Sequence, residues 1–159
     1  MSLVIEDVRD DGVSAPPDVP KAELAAVVAD AKQSGIDLKI VVVDRNPPTD
    51  PPLRDIATEV GEEYPGSTVL VLSPTFAGTY SPTYDRVTLE AGQDVAKIPG
   101  NPVLASQNFV NELSTPHFPW TPFTIVVVLG VVAAVVATRI LRIRGKRAAA
   151  ADIAPGTSE

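Results

Sequence analysis

Two apolar runs organise the first two-thirds of the chain. Leu38-Lys-Ile-Val-Val-Val43 and Thr68-Val-Leu-Val-Leu72 are rich in β-branched residues and hardly alternate with polar ones. That is the pattern of strands buried on both faces. Between them, Asn46-Pro-Pro-Thr-Asp-Pro-Pro52 must be a loop, because proline supplies no donor to a ladder. Leu53, Ile56, Ala57 and Val60 then recur at helical spacing until Tyr64-Pro-Gly66 ends the segment. Strand, helix, strand in this order predicts a βαβ unit with a right-handed crossover.

The flanking segments predict the helices that such a unit needs on both faces. Asp18-Val-Pro20 opens a helix over 21–34, with Leu24, Val27, Val28 and Ala31 at helical spacing and Gly35 as its stop. Ser81-Pro82 and Asn101-Pro102 each place a capping residue before a proline, which predicts helices over 82–97 and 102–114. The first would turn Tyr84, Val87, Thr88, Ala91 and Val95 to one face, although Arg86-Val-Thr-Leu89 also suits a short strand. The second carries Val103, Ser106, Phe109, Val110 and Leu113. Residues 1–17 read as an edge strand and loop, or as an N-terminal arm. Phe76-Ala-Gly-Thr-Tyr80 reads as a lid or an ordinary turn. The fold class expected is α/β, a small βαβ-containing sheet with helices on both faces, plus one C-terminal transmembrane helix.

That last element rests on a second kind of pattern. From Leu113 to Thr138 no residue is charged, and Phe123 to Ala137 is apolar all round. With Phe118, Pro119 and Trp120 the stretch reaches about 20 residues, enough to cross a hydrocarbon core of about 30 Å. A core helix of a small domain ordinarily keeps a polar stripe, so a membrane span is the better reading. Trp120 and Phe123 lie where an aromatic belt belongs, and Arg139, Arg142 and Arg144 begin a basic cluster completed by Lys146 and Arg147. The chain thus divides into an arm or edge strand (1–17), a soluble α/β domain (18–114), a proline-rich neck (115–122), a transmembrane helix (123–141) and a basic, then disordered, tail (142–159).

Charge sharpens this division. Residues 1–115 carry 8 basic and 18 acidic side chains, whereas residues 139–159 carry 5 basic and 2 acidic ones. The basic cluster predicts a cytoplasmic tail and an extracytoplasmic domain in a single-pass protein of the cell membrane. Against that, Met1-Ser-Leu-Val-Ile-Glu-Asp-Val-Arg-Asp-Asp11 lacks the basic start and long apolar core of a signal peptide. A tail-anchored protein with a cytoplasmic domain is the alternative. The net charge of -7 argues against nucleic acid as a partner, leaving the lipid bilayer and another envelope protein.

Composition removes much of the usual chemistry. There is no cysteine and one histidine, His117, so thiolate sites, histidine-rich zinc sites and cysteine nucleophiles are out of reach. Neither a P-loop nor a Gly-x-Ser-x-Gly elbow occurs. In open α/β sheets ligands gather beyond the carboxyl ends of parallel strands, here Asp44-Arg45-Asn46 and Ser73-Pro74-Thr75. Asp44 is the residue best placed for a hard cation, with Asp50, Asp55 and Asp85 as further oxygen donors; calcium or magnesium would suit such ligands. An Asp44–Arg45 pair clamping the proline loop is the competing reading. An aspartyl-phosphate phosphatase would need a second aspartate two positions after Asp44, where Asn46 stands.

Helix, strand 38–43, helix 53–63, strand 68–72 and a terminal membrane helix together resemble the TPM-domain family. Tyr64-Pro-Gly-Ser-Thr-Val-Leu-Val-Leu-Ser-Pro74 and Asn108-Phe-Val-Asn-Glu-Leu113 look like a small actinobacterial, mycobacterial-type group of single-pass membrane proteins related to it. The resemblance covers roughly residues 18–140. It implies a compact α/β domain at the cell envelope, calcium-binding in some members and a phosphatase in others. The family's glycine-rich loop with Asp-Asn-Gly is replaced by Tyr64-Pro-Gly-Ser67. The function expected is therefore a membrane-tethered, non-catalytic binding or regulatory module with a place for a divalent cation, and a metal-dependent phosphatase is the alternative.

Overall fold

The computed structural model describes residues 2–48, 51–115 and 120–152, with side chains from 3 to 48, 52 to 115 and 123 to 144. It comprises two units, Met1–Pro116 and His117–Glu159.

The first unit is built on four strands, β1 (Val13–Ser14), β2 (Leu38–Val42), β3 (Thr68–Leu72) and β4 (Ala77–Tyr80), side by side in chain order. The first three run parallel and β4 returns antiparallel. Five helices accompany them: α1 (Ser2–Asp11), α2 (Lys21–Gln33), α3 (Pro51–Glu63), α4 (Arg86–Val95) and α5 (Pro102–Ser114). The strands are buried on both faces because their apolar side chains feed two separate cores. Leu38, Ile40, Leu70 and Leu72 point to one face, where Leu24, Val27 and Ala31 of α2 and Ala105, Phe109 and Leu113 of α5 cover them. Val41, Val69 and Val71 point to the other, against Leu53, Ala57 and Val60 of α3 and Val8 of α1. Strand register makes Val41 the neighbour of Val71 on that face.

This layering has a topological consequence. Two crossovers that step the same way across a parallel sheet lie on one face when they share a hand. Here β1–α2–β2 and β2–α3–β3 step the same way but lie on opposite faces, so one of them is left-handed. The rule broken is among the strongest in α/β folds. A right-handed β2–α3–β3 unit leaves β1–α2–β2 as the exception, and β1 is held by only two residue pairs.

The structure differs from the sequence expectation in four places. Residues 2–11 form helix α1, with only Val13–Ser14 as an edge strand. Val8 enters the core, and the Tyr64 hydroxyl donates to the Ile5 carbonyl, tying α1 to the end of α3. Residues 77–80 form a strand in place of the expected lid or turn. There α3 lies almost against the backbone of β4: a Cβ on Gly78 would stand 2.5 Å from the Leu53 carbonyl carbon, and one on Gly61 would meet the Tyr80 ring. Helix α4 starts at Arg86, since Asp85 caps it by accepting from the Thr88 amide at 2.8 Å. Its buried residues are Gly92 and Gln93, with Leu89 half-buried against the core, while Val87 is 76% exposed.

The second unit is one helix, α6 (Trp120–Asp152). Its Phe123–Arg144 stretch is long and apolar enough to cross a membrane, and its side chains are exposed. Helix α6 runs on through Asp152, so much of the segment expected as a disordered tail is helical. His117 and the neck residues 116–119 lie outside the described residues.

Candidate functional site

Where the chain leaves β1 it turns toward the α2 face, and where it leaves β2 it turns toward the α3 face. A crevice opens between strands whose exits diverge in this way. The structure has one there, a cleft of about 510 Å³ at the carboxyl edge of the sheet. Its floor is apolar, from Val42, Leu72, Ala96, Ile98 and Ala105. Its rim is the proline-rich stretch 16–20 after β1, together with Pro74 and Pro102. Prolines here fix the backbone without offering donors, so the rim is stiff. Asp18 and Asp44 are the charged residues among the described lining, both are exposed, and no Lys, Arg or His stands among them.

The polar groups around the cleft are largely committed to structure. Asn46, just past β2, reaches across to the β3–β4 hairpin: its Oδ1 accepts from the Ser73 hydroxyl at 2.8 Å and from the Thr75 amide at 3.0 Å. Its Nδ2 donates to Thr75 Oγ1 at 2.8 Å. The Ser73 amide donates to the Phe76 carbonyl at 2.9 Å, closing the hairpin around Pro74 and Thr75. Asn101 caps α5 by accepting from the Leu104 amide at 2.9 Å. A serine and an asparagine held this way shape the cleft and leave its carboxylates as the groups available to a ligand.

The cation ligands named from the sequence do not form a group among the described residues. Asp44 stands on the cleft wall. Asp55 lies exposed on the first turns of α3, and Asp85 is the α4 cap. Asp50 lies outside the described residues. Among the described residues no three acidic or histidine side chains gather into a group able to hold a metal ion, so Asp44, Asp55 and Asp85 are not brought together. Among the described ion pairs there is none between Asp44 and Arg45 either; the clamp on this loop is Asn46. Of the membrane-interface set, Phe123 is 49% exposed and Arg139, Arg142 and Arg144 are exposed on α6, while the Trp120 side chain lies outside the described ones.

A family model described as membrane protein Rv1476 matches residues 1–152, nearly the whole chain. The chain belongs to the Rv1476 membrane-protein family. The curated membrane protein Rv1476 of Mycobacterium tuberculosis is 55% identical over 160 residues, covering 100% of this chain and 85% of that protein. No solved structure matches. The kinship shown is with the Rv1476 family, which has a mycobacterial member; the comparisons bring no support for the TPM resemblance. The chain is a membrane protein with one candidate C-terminal span among its described residues.

Proposed function

We propose that this Rv1476-family protein is a single-pass, membrane-tethered binding module whose carboxyl-edge cleft takes a ligand with a short apolar body and a cationic group. The observation that carries this reading is the cleft lining: an apolar floor under a rim whose charged residues are Asp18 and Asp44. Apolar walls with a few convergent polar groups are the usual make-up of a ligand site. A lysine- or arginine-bearing peptide segment of an envelope protein has this chemistry. Two lone carboxylates also suit an organic cation better than a bare divalent ion, which wants six or more oxygens. The basic residues after the span support a domain held outside the cytoplasm.

The test uses the full chain in lipid nanodiscs and a panel of short apolar peptides bearing Lys, Arg, Glu or no charge. Basic members should perturb amide signals of residues 42–44, 72–74 and 98–102, and Asp44→Asn should weaken them. Equal responses to acidic and basic peptides would overturn the reading. Orientation is accessible separately because the chain has no cysteine. A single Glu62→Cys should react with a membrane-impermeant maleimide in intact cells, and a single Ser158→Cys should react only after lysis.

A further inference from the structure

The part of α6 beyond the uncharged stretch carries a density of charge that the cleft reading does not use. We infer that it forms a collar selective for anionic phospholipid headgroups. From Trp120 to Thr138 the helix holds 19 uncharged residues. At about 1.5 Å per residue they span roughly 28 Å, close to the hydrocarbon thickness. The helix does not end there but continues to Asp152, which fixes the depth of each residue past Thr138. Measured from Thr138, position 139 stands about 1.5 Å further along, 142 about 6 Å, and 144, 146 and 147 about 9 to 14 Å. The headgroup layer is roughly 5–8 Å thick on each side of the core.

Arg139 and Arg142 therefore sit at the level of the lipid phosphates. Arg144 lies just beyond them, as do the positions of Lys146 and Arg147, within about one screening length of the surface at physiological salt. No acidic residue interrupts the series before Asp152. A flexible tail would spread these charges through a volume of water. A helix continuous with the span holds the whole series near the phosphate plane, in one leaflet. Arg139, Arg142 and Arg144 are exposed, and none of the ion pairs among the described residues engages them. The guanidinium fork matches a phosphate in two-point fashion, and each basic residue near an anionic surface raises occupancy by about five-fold.

The experiment is lipid selectivity of the full chain in vesicles of phosphatidylcholine with one-fifth phosphatidylglycerol, read by spin-labelled lipids that report the fraction held at the protein surface. At 0.15 M salt the phosphatidylglycerol label should associate about five-fold or more over the choline label. In 1 M salt, where the screening length is about 3 Å, the preference should collapse. Inorganic phosphate at matched ionic strength should lower it no further than chloride does, which separates headgroup binding from free-phosphate capture. The variant Arg139→Gln, Arg142→Gln, Arg144→Gln, Lys146→Gln, Arg147→Gln should show no preference. Glutamine keeps helix propensity, and circular dichroism checks that α6 persists. Should that variant fail to insert, replacing the four arginines by lysine keeps the charge and should keep most of the selectivity. No preference in the parent, an undiminished one in the glutamine variant, or its loss in the lysine variant would each overturn the collar.

Discussion

Replacing Gly78 by alanine asks how closely α3 and β4 are interlocked. A Cβ there would stand 2.5 Å from the Leu53 carbonyl carbon, 2.6 Å from Leu53 Cβ and 2.7 Å from the Arg54 amide nitrogen. Ordinary contact begins near 3.4 Å, so α3 must retreat by about 1 Å at its first turn. None of the three atoms can rotate away, and Leu53 is 1% exposed in the core. Overpacking of this kind costs about 1–3 kcal/mol, and the involvement of backbone places Gly78→Ala at the upper end. That is a large share of the roughly 5–15 kcal/mol by which a domain is stable. Urea unfolding of residues 1–115, followed by circular dichroism, should show a midpoint lowered by that amount at unchanged slope. Two comparisons make the reasoning specific. Gly35→Ala has open space around its Cβ but a φ of +81°, so it should cost about 1 kcal/mol from backbone strain alone. Gly61→Ala meets the Tyr80 ring first, a side chain that can be removed, so Tyr80→Ala should relieve part of its cost through a coupling of about 0.5–3 kcal/mol. No side-chain truncation should relieve Gly78→Ala. A Gly78→Ala domain within about 0.5 kcal/mol of the parent would refute the interlock.

Other outcomes rest on particular contacts. Val71→Asp leaves a carboxylate among Val41, Val69 and Val60 on a fully buried strand, and residues 1–115 should lose cooperative unfolding altogether. Asn46→Ala removes three hydrogen bonds to the β3–β4 hairpin at an exposed site. It should cost only about 1 kcal/mol, yet speed hydrogen exchange at the Thr75 amide at least ten-fold. Asp85→Ala should lower stability by about 1 kcal/mol through loss of the α4 cap, with Asp85→Asn restoring most of it. Val128→Arg puts a charge at the middle of the span at a cost of about 2.5–3.5 kcal/mol, and should shift the chain into the carbonate-extractable fraction.

The elements legible in the sequence are those whose signal is local. Thr68–Leu72 and Pro102–Ser114 carry their own burial and cap patterns, and both form where those patterns place them. β4 was illegible because Ala77-Gly-Thr-Tyr80 is a strand for a tertiary reason: glycine is there to admit α3, not to make a turn. α1 did hold a signal in Val4, Ile5 and Val8 at helical spacing, masked by the acidic residues around them. On α4, Val87 and Val95 suggested an inward face, but Val87 is exposed and Gly92 is the position that lies under the Phe109 ring of α5. The carboxyl edge of the sheet was readable as the place for a cleft. Asn46 was not readable as its clamp, since its partners lie 27 and 29 residues away. Nor could spacing tell that Asp44, Asp55 and Asp85 do not gather into one group, because the intervening helix and hairpin decide it.

The shortness of β1 bears on how copies of this protein share a membrane. The proposed tethering would confine the domains to a plane, where each meets its neighbours far more often than in free solution. An open sheet edge in that setting is a template for strand-to-strand fusion. β1 offers only Val13 and Ser14, and two residues later Pro16 and Pro17 present no amide hydrogen to an incoming strand. At the opposite border, β4 is four residues long and is pressed between α3 and α4. Crowding on the bilayer therefore finds only two short ladders to extend, of two and four residues, and encounters between domains are left largely to their side chains.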